Sequence, residues 1–91
     1  MSEKVVTDRR AVLQAVEEFD RPGRSAFLEK YGFGEAKQYF LAQDGRYYDS
    51  KAVYGVARGY QQPNLGPLRS NDFTSGEAQV ARRLKQLGFA I

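Results

Sequence analysis

The sequence contains no cysteine and no histidine, and these two absences exclude several classes of protein chemistry. Without cysteine there is no disulfide framework and no thiolate metal site. Without histidine there is also no Ser-His-Asp triad, no Cys-His pair and no histidine-dependent nuclease site. We therefore expect no catalytic, metal or cofactor site. Any chemistry would have to use carboxylates, lysine, tyrosine or serine.

Long apolar segments are absent as well. No run approaches the ~18 apolar residues that a membrane-spanning helix needs, and the start of the chain, residues 1–4, lacks the apolar stretch of a secretion signal. We expect a cytoplasmic protein with no membrane partner. The 91 residues, 42% of them hydrophobic, are enough for one domain with a core of modest size.

The charge is distributed unevenly along the chain. Residues 1–36 carry six basic and seven acidic groups, whereas residues 37–91 carry eight basic and four acidic groups. The sequence pI is near 9.3. A basic balance of this size permits nucleic-acid binding without requiring it, because a mildly basic solvated surface has the same composition.

Apolar spacing and turn residues predict the secondary structure. Residues 8–20 repeat apolar side chains at helical intervals, and a shorter helix follows over residues 25–31. Asp44-Gly45 is a strong signal for a two-residue hairpin between strands. Further elements are a helix from Lys51 to about Tyr60, a loop over 61–73, a helix from about 77 to 87 and a strand over 89–91.

These elements predict a small α+β domain of order ααββ–α–loop–α–β, with a three-stranded, mainly antiparallel sheet and helices packed on it. The chain ends on three apolar residues without a polar tail. We therefore expect residues 1–91 to be a single module taken from a longer protein, with further domains after Ile91.

The helix of Lys51 gives the first candidate site. At about 100° per residue, one side carries apolar residues and the other carries cations with an aromatic ring and a glycine. The apolar set is Val53, Val56, Ala57 and Tyr60, and the opposite set is Lys51, Tyr54, Gly55 and Arg58. We predict that Lys51, Tyr54 and Arg58 contact DNA. The alternative is a solvated face with Tyr54 half-buried.

The second candidate combines Arg69, Ser70 and Asn71 with Ser75 and Gly76 at the start of the last helix. A helix N-terminus offers unpaired N–H groups to an anion, and glycine permits close approach. Hydroxyl groups could bind phosphate, while Arg69 or Asn71 could reach a base edge. The alternative is self-capping, in which Asp72, Thr74 or a capping box over 74–77 satisfies those N–H groups.

Three more residues complete the predicted DNA-binding set. Arg46 supplies charge at the hairpin, and Arg82 points outward from the last helix. Tyr47 and Tyr48 alternate across a strand, so one ring is buried and the other is exposed; we include Tyr48 as the ring that stacks on a base. Core packing of the tyrosines and a solvated helix face remain the alternatives.

One enzymatic interpretation uses Asp44, Asp49 and Lys51, because metal-dependent nucleases combine an Asp with an acidic-x-Lys pair around a divalent ion. The spacing fits poorly. Asp44 lies in a hairpin turn and Asp49 precedes a helix, so the two are not placed together on a sheet edge.

Several short motifs occur in the order found in a known family. They are residues 46–57, Pro67–Phe73, Ser75–Glu77, Arg83-Leu84 and Leu87–Phe89. The stretch from Gly45 to Phe89 resembles the N-terminal domain of McrA-like HNH restriction endonucleases. Where that family often has proline before the helix lysine, this chain has Asp49-Ser50, which places an anion near any phosphate site.

The resemblance implies a non-catalytic N-terminal module that binds double-stranded DNA alongside other domains of its parent protein. Members of the family cut DNA with modified bases through a C-terminal HNH domain and separate reader domains. This implies a role in restriction–modification and phage defence, with modified cytosine such as 5-methylcytosine as a candidate base. The alternative is a domain-docking or dimerisation module that does not contact DNA.

Overall fold

One central helix organises the domain. The computed structural model describes residues 5–73 and 76–91. Its elements are α1 (Arg9–Asp20), α2 (Arg24–Tyr31), β1 (Phe40–Gln43), β2 (Arg46–Asp49), α3 (Ser50–Gln61), a 3-10 helix (Ser70–Asp72) and α4 (Glu77–Gln86). Helix α3 contacts α1, α2, β2, the 3-10 helix and α4. No helix in these ranges is long and apolar enough to cross a bilayer.

Aromatic rings fill the core between α1, α2 and β2. Phe19 packs on Phe27 with ring centroids 4.8 Å apart and meets the edge of Tyr48 at 4.9 Å. Tyr48 is 2% exposed, and its hydroxyl donates a hydrogen bond to Asp20 Oδ1 at 2.9 Å. The rings provide apolar area, and the phenol keeps a polar partner, as buried tyrosines require.

The β-hairpin forms where the Asp44-Gly45 pair predicts it. Residues 44 and 45 have φ values of 51° and 78°, so both lie in the left-handed region that two-residue type I′ turns require. Gln43 pairs with Arg46 directly across this turn, and the antiparallel register continues to Phe40 opposite Asp49.

The predicted three-stranded sheet is wrong. Over residues 5–73 and 76–91 the structure has a two-stranded antiparallel sheet and four α-helices, and a 3-10 helix interrupts the predicted loop. Residues 89–91 contribute only an isolated bridge, in which the Ala42 N–H donates to the Ala90 carbonyl at 2.8 Å. Phe89 is 5% exposed and belongs to the hydrophobic core. Its apolar character therefore reflects core packing and not a sheet ladder.

A buried carboxylate joins α2 to the start of α3. Asp49 precedes α3 but makes no side-chain bond to the helix N-terminus. Its Oδ1 accepts from Arg24 Nε at 2.9 Å, and its Oδ2 accepts from Arg24 Nη2 at 2.9 Å and from the Ala36 N–H at 2.8 Å. The Asp49 side chain is 3% exposed and that of Arg24 is 41% exposed. The pair is bidentate, with one partner buried and one half in solvent.

Two glycines let the chain after α3 fold back onto it. A Cβ at Gly55 would lie 2.8 Å from the Leu68 carbonyl oxygen and 2.9 Å from Phe33 Cζ. A Cβ at Gly59 would lie 2.9 Å from Pro67 N. The Leu68 N–H donates to the Gly55 carbonyl at 2.9 Å. This close approach fixes the loop that leads to the 3-10 helix.

Candidate nucleic-acid interface

Contacts between side chains gather two of the basic residues of α3 and α4 around aromatic rings. Lys51 Nζ lies 5.1 Å from the centroid of the Phe73 ring, and the Phe73 and Tyr54 ring centroids are 6.1 Å apart. Arg83 Nη1 donates to the Tyr54 hydroxyl at 3.3 Å. Positive charge from two helices therefore borders one aromatic cluster.

The predicted outward face of α3 is wrong in part. Tyr54 is 1% exposed, Gly55 is buried and Arg58 is 8% exposed, while Lys51 is half-buried. Arg58 Nε donates to the Gly66 carbonyl at 2.6 Å, so its charge is directed at the loop after α3. By contrast Tyr60, expected on the apolar side, is 36% exposed.

One feature of the sequence predicts the burial of Tyr54 and Gly55. Residues 52–57 contain no charged side chain, and a helix that lacks charge all round is buried all round. The helical projection separated Tyr54 from the valines by angle alone. A projection contains only the residues of the helix itself, so it could not show that the loop over 66–68 covers the Gly55 side of α3.

The segment over Arg69, Ser70 and Asn71 is exposed, as the candidate site requires. The Arg69 N–H donates to Asp72 Oδ2 at 2.9 Å, so Asp72 caps the 3-10 helix. Self-capping by Asp72 is therefore observed at this short helix.

Gly76 is exposed and precedes α4, and it provides no side-chain cap. Ser75, and with it the predicted capping box over 74–77, lies outside the described residues. Farther along α4, Arg82 and Lys85 are exposed and Arg83 is half-buried.

The predicted hairpin residues have different environments. Arg46 is exposed and pairs with Asp20, with Nη1 and Oδ1 3.3 Å apart. Tyr48 is the buried ring of the pair, which makes its selection for base stacking wrong, whereas Tyr47 is 73% exposed. The alternation was correct, but the sequence could not say which face of the strand meets α1.

The described ion pairs use only part of the positive charge. They join Arg24, Lys30 and Arg46 to carboxylates of α1, β2 and the segment after α2. Arg69, Arg82 and Lys85 form no ion pair within residues 5–73 and 76–91. Within these ranges, exposed cations outside the described ion pairs therefore include those on α4 and on the segment before it, and also Arg10 and Arg21 on α1 and its C-terminal end.

The residues of the nuclease interpretation do not converge on a metal site. Both carboxylate oxygens of Asp49 accept hydrogen bonds from Arg24, and Asp44 is exposed in the hairpin turn. In the part of the chain that the structure describes, no group of three acidic side chains is placed to hold a metal ion.

A hydrogen-bonded cluster around the Glu18 carboxylate lies between α1, α2 and α3, and no local pattern in the sequence predicts it. Glu18 Oε1 accepts from the Tyr60 hydroxyl at 2.6 Å, and Oε2 accepts from Lys30 Nζ at 3.1 Å and from the Tyr31 hydroxyl. The side chain of Glu18 is only 14% exposed. No local motif could reveal a cluster assembled from three separate helices.

The cluster shifts the pKa values of its members in opposite directions. Burial alone would raise the pKa of Glu18, but the hydrogen bonds from Tyr31, Tyr60 and Lys30 outweigh it and lower that pKa. The hydrogen bond to Glu18, with burial, raises the pKa of Tyr60 from its usual value near 10 to about 12.

These shifts predict a pH-dependent stability. The raised pKa of Tyr60 means that its contribution is complete below pH 10 and is lost as the pH rises toward about 12. We therefore expect the difference in free energy of unfolding between wild type and Tyr60→Phe to shrink over that range. Urea unfolding at pH 8 and pH 11 measures it. Tyr47→Phe is the matched control, and an equal pH dependence in both variants would contradict the assignment.

Comparison with known families gives one match. The family model described as "ScoMcrA-like, N-terminal head domain" matches residues 4–91. No curated protein and no solved structure matches the chain.

Proposed function

This chain belongs to the ScoMcrA-like N-terminal head-domain family, and from that premise we propose that it is a non-catalytic DNA-binding domain of a modification-dependent restriction endonuclease acting in the cytoplasm. The main supporting observation is a set of exposed cations on α4 and at the start of the 3-10 helix. Arg69, Arg82 and Lys85 are exposed and have no ion pair within the described ranges. Unneutralised cations of this kind bind the phosphate backbone irrespective of sequence.

Phosphate contact suits the arrangement better than direct base reading. Exposed Arg69, Ser70 and Asn71 supply a cation, a hydroxyl and an amide on one short segment, and these groups commonly bind backbone oxygens. Lys51, held over the Phe73 ring, adds charge to α3. Contacts of this type position a protein on a duplex, while another domain of the parent protein would carry out cleavage.

The structural role of Asp49 supports a non-catalytic assignment. A carboxylate that activates a metal-bound water needs free oxygen atoms facing the ion. Asp49 Oδ1 and Oδ2 are both bound by Arg24, and Oδ2 also accepts the Ala36 N–H. The domain would therefore bind DNA and leave hydrolysis to the HNH domain of its parent.

Arg69→Ala and Arg82→Ala test the phosphate contacts. We expect each variant to bind duplex DNA several-fold more weakly at ~50 mM salt, and the slope of log affinity against log salt to become shallower by about 0.9 for each lost contact. Fluorescence anisotropy over a salt series measures both quantities.

The matched control is Arg10→Ala, which removes the same charge from an exposed position on α1. It should alter the salt slope less than either test variant. Equal slopes in wild type, Arg69→Ala and Arg82→Ala would show that these two side chains do not bind phosphate.

Comparing several duplexes distinguishes phosphate binding from base reading and from a module that does not bind DNA. Unmodified, methylated and hydroxymethylated duplexes of the same sequence should bind with similar affinity if phosphate contacts dominate. A preference for one modified duplex would show that this domain reads a base. If the domain binds no duplex at ~50 mM salt, the docking or dimerisation module becomes the better interpretation.

A further inference from the structure

A small pocket lies against the Glu18 cluster. It has a volume of about 270 Å³ and is formed by α1, α2, the second half of α3 and the loop that follows. Tyr31, Tyr60, Pro63 and Pro67 line it, and Val56, 2% exposed, is its most buried lining residue. Pockets for drug-sized ligands are roughly 300–1,000 Å³. This one suits a single small planar group.

The pocket offers apolar ring surfaces together with one set of hydrogen-bond acceptors. The Tyr31 and Tyr60 hydroxyls both donate to Glu18, so their oxygens can only accept from a ligand. A carboxylate has about four acceptor sites, and three described groups occupy Glu18. The interior therefore selects a planar ligand that carries N–H donors.

Two cationic side chains lie near these hydrogen-bond acceptors. Lys30 pairs with Glu18 and its side chain remains 63% exposed. Arg21 is exposed and lies close enough to Tyr60 for its charge to act on the phenol. Positive charge outside an acceptor-lined aromatic pocket is complementary to a nucleotide, whose base has a flat face and whose phosphates stay in solvent.

We propose that this pocket binds one unstacked nucleobase that carries an exocyclic amino group, such as cytosine or adenine, with its flanking phosphates near Lys30 and Arg21. The amino group donates to the acceptors around Glu18, and the ring lies against Tyr60 and the prolines. Thymine has a carbonyl in place of that amino group and keeps only its ring N3–H as a donor for these acceptors. This inference rests on the proposed DNA binding and adds a second contact, distinct from the phosphate contacts near α4.

Duplexes that contain one unpaired base test the proposal. A duplex with a single cytosine bulge should bind the wild-type domain roughly tenfold more tightly than the fully paired duplex, as expected for one base stacked on an aromatic side chain. A thymine bulge should show less of this gain. Mononucleotides in a parallel titration distinguish a pocket that takes free nucleotides from one that needs the strand.

Variants assign the effect to the pocket. Tyr60→Ala should reduce the bulge preference to about one while binding to the paired duplex persists, and Tyr47→Ala, at a ring 73% exposed outside the pocket, should retain the preference. Tyr60→Phe keeps the ring and should retain most of it. In the wild-type protein, the NMR signals of the Tyr31 and Tyr60 rings should shift on adding the cytosine-bulge duplex.

Three results would overturn the inference, and each differs from failure of the proposed function. Equal affinity for bulged and paired duplexes, or ring shifts confined to residues outside the pocket, would show that no base enters. Saturation of the pocket signals by a proline-containing peptide, with no response to DNA, would assign it to a protein segment. Absence of all duplex binding would instead contradict the proposed phosphate contacts of Arg69 and Arg82.

Discussion

Replacing Arg24 by methionine will lower the free energy of unfolding by about 3 kcal/mol, the low end of the range for breaking a buried ion pair. The substitution removes two hydrogen bonds of 2.9 Å from Asp49. Asp49 is 2% exposed, so its charge keeps only the Ala36 N–H as a described partner. Arg24 is itself half in solvent, which is why we do not expect the upper end of the range.

A double-mutant cycle separates the lost pair from lost packing. Asp49→Asn keeps the shape of the side chain and removes its charge, so adding it to Arg24→Met should recover part of the lost stability. Urea unfolding of the four proteins gives the coupling energy. If Arg24→Met changes the free energy of unfolding by less than about 0.5 kcal/mol, Asp49 finds other compensation and the assigned role of the pair is wrong.

Gly55→Ala should cost about 2 kcal/mol, even though alanine favours helix by about 1 kcal/mol relative to glycine. The added methyl group would meet the Leu68 carbonyl oxygen at 2.8 Å. That oxygen belongs to backbone whose N–H bonds the Gly55 carbonyl, so it cannot move without breaking the contact. Thermal or chemical unfolding measures the loss.

Gly34→Ala is the control for this substitution. Its added methyl group would meet nothing within 4 Å, and its φ is not in the left-handed region. We expect a change within about 0.5 kcal/mol. Similar stability losses at both positions would mean that backbone freedom, and not close packing against residue 68, explains the glycine at 55.

Local chemistry predicted some features of the fold well. Helix α1 follows from apolar residues at helical spacing, and the hairpin follows from Asp44-Gly45, because both signals are contained in neighbouring residues. The prediction of a sheet strand over residues 89–91 was wrong. An apolar run of three is compatible with a strand or with core packing, and the burial of Phe89 in the core, with a single bridge at Ala90, decides between them.

The candidate interface was predictable to a smaller extent. The exposure of Arg69 and Arg82 follows from their polar surroundings in the sequence. The burial of Arg58 depends on the loop after α3, which folds back onto the helix, and a projection of α3 alone does not contain that contact. The pocket beside Glu18 needs α1, α2 and α3 to be assembled first, so no spacing rule could have indicated it.

The central position of α3 has a consequence for how this domain can vary between relatives. A helix enclosed by its neighbours tolerates few substitutions, because each change must be matched by residues on several surrounding elements. The outer segments of the domain, which are the 3-10 helix and the exposed side of α4, are not constrained in this way. Substitutions can therefore accumulate at the periphery while the enclosed helix keeps the same architecture.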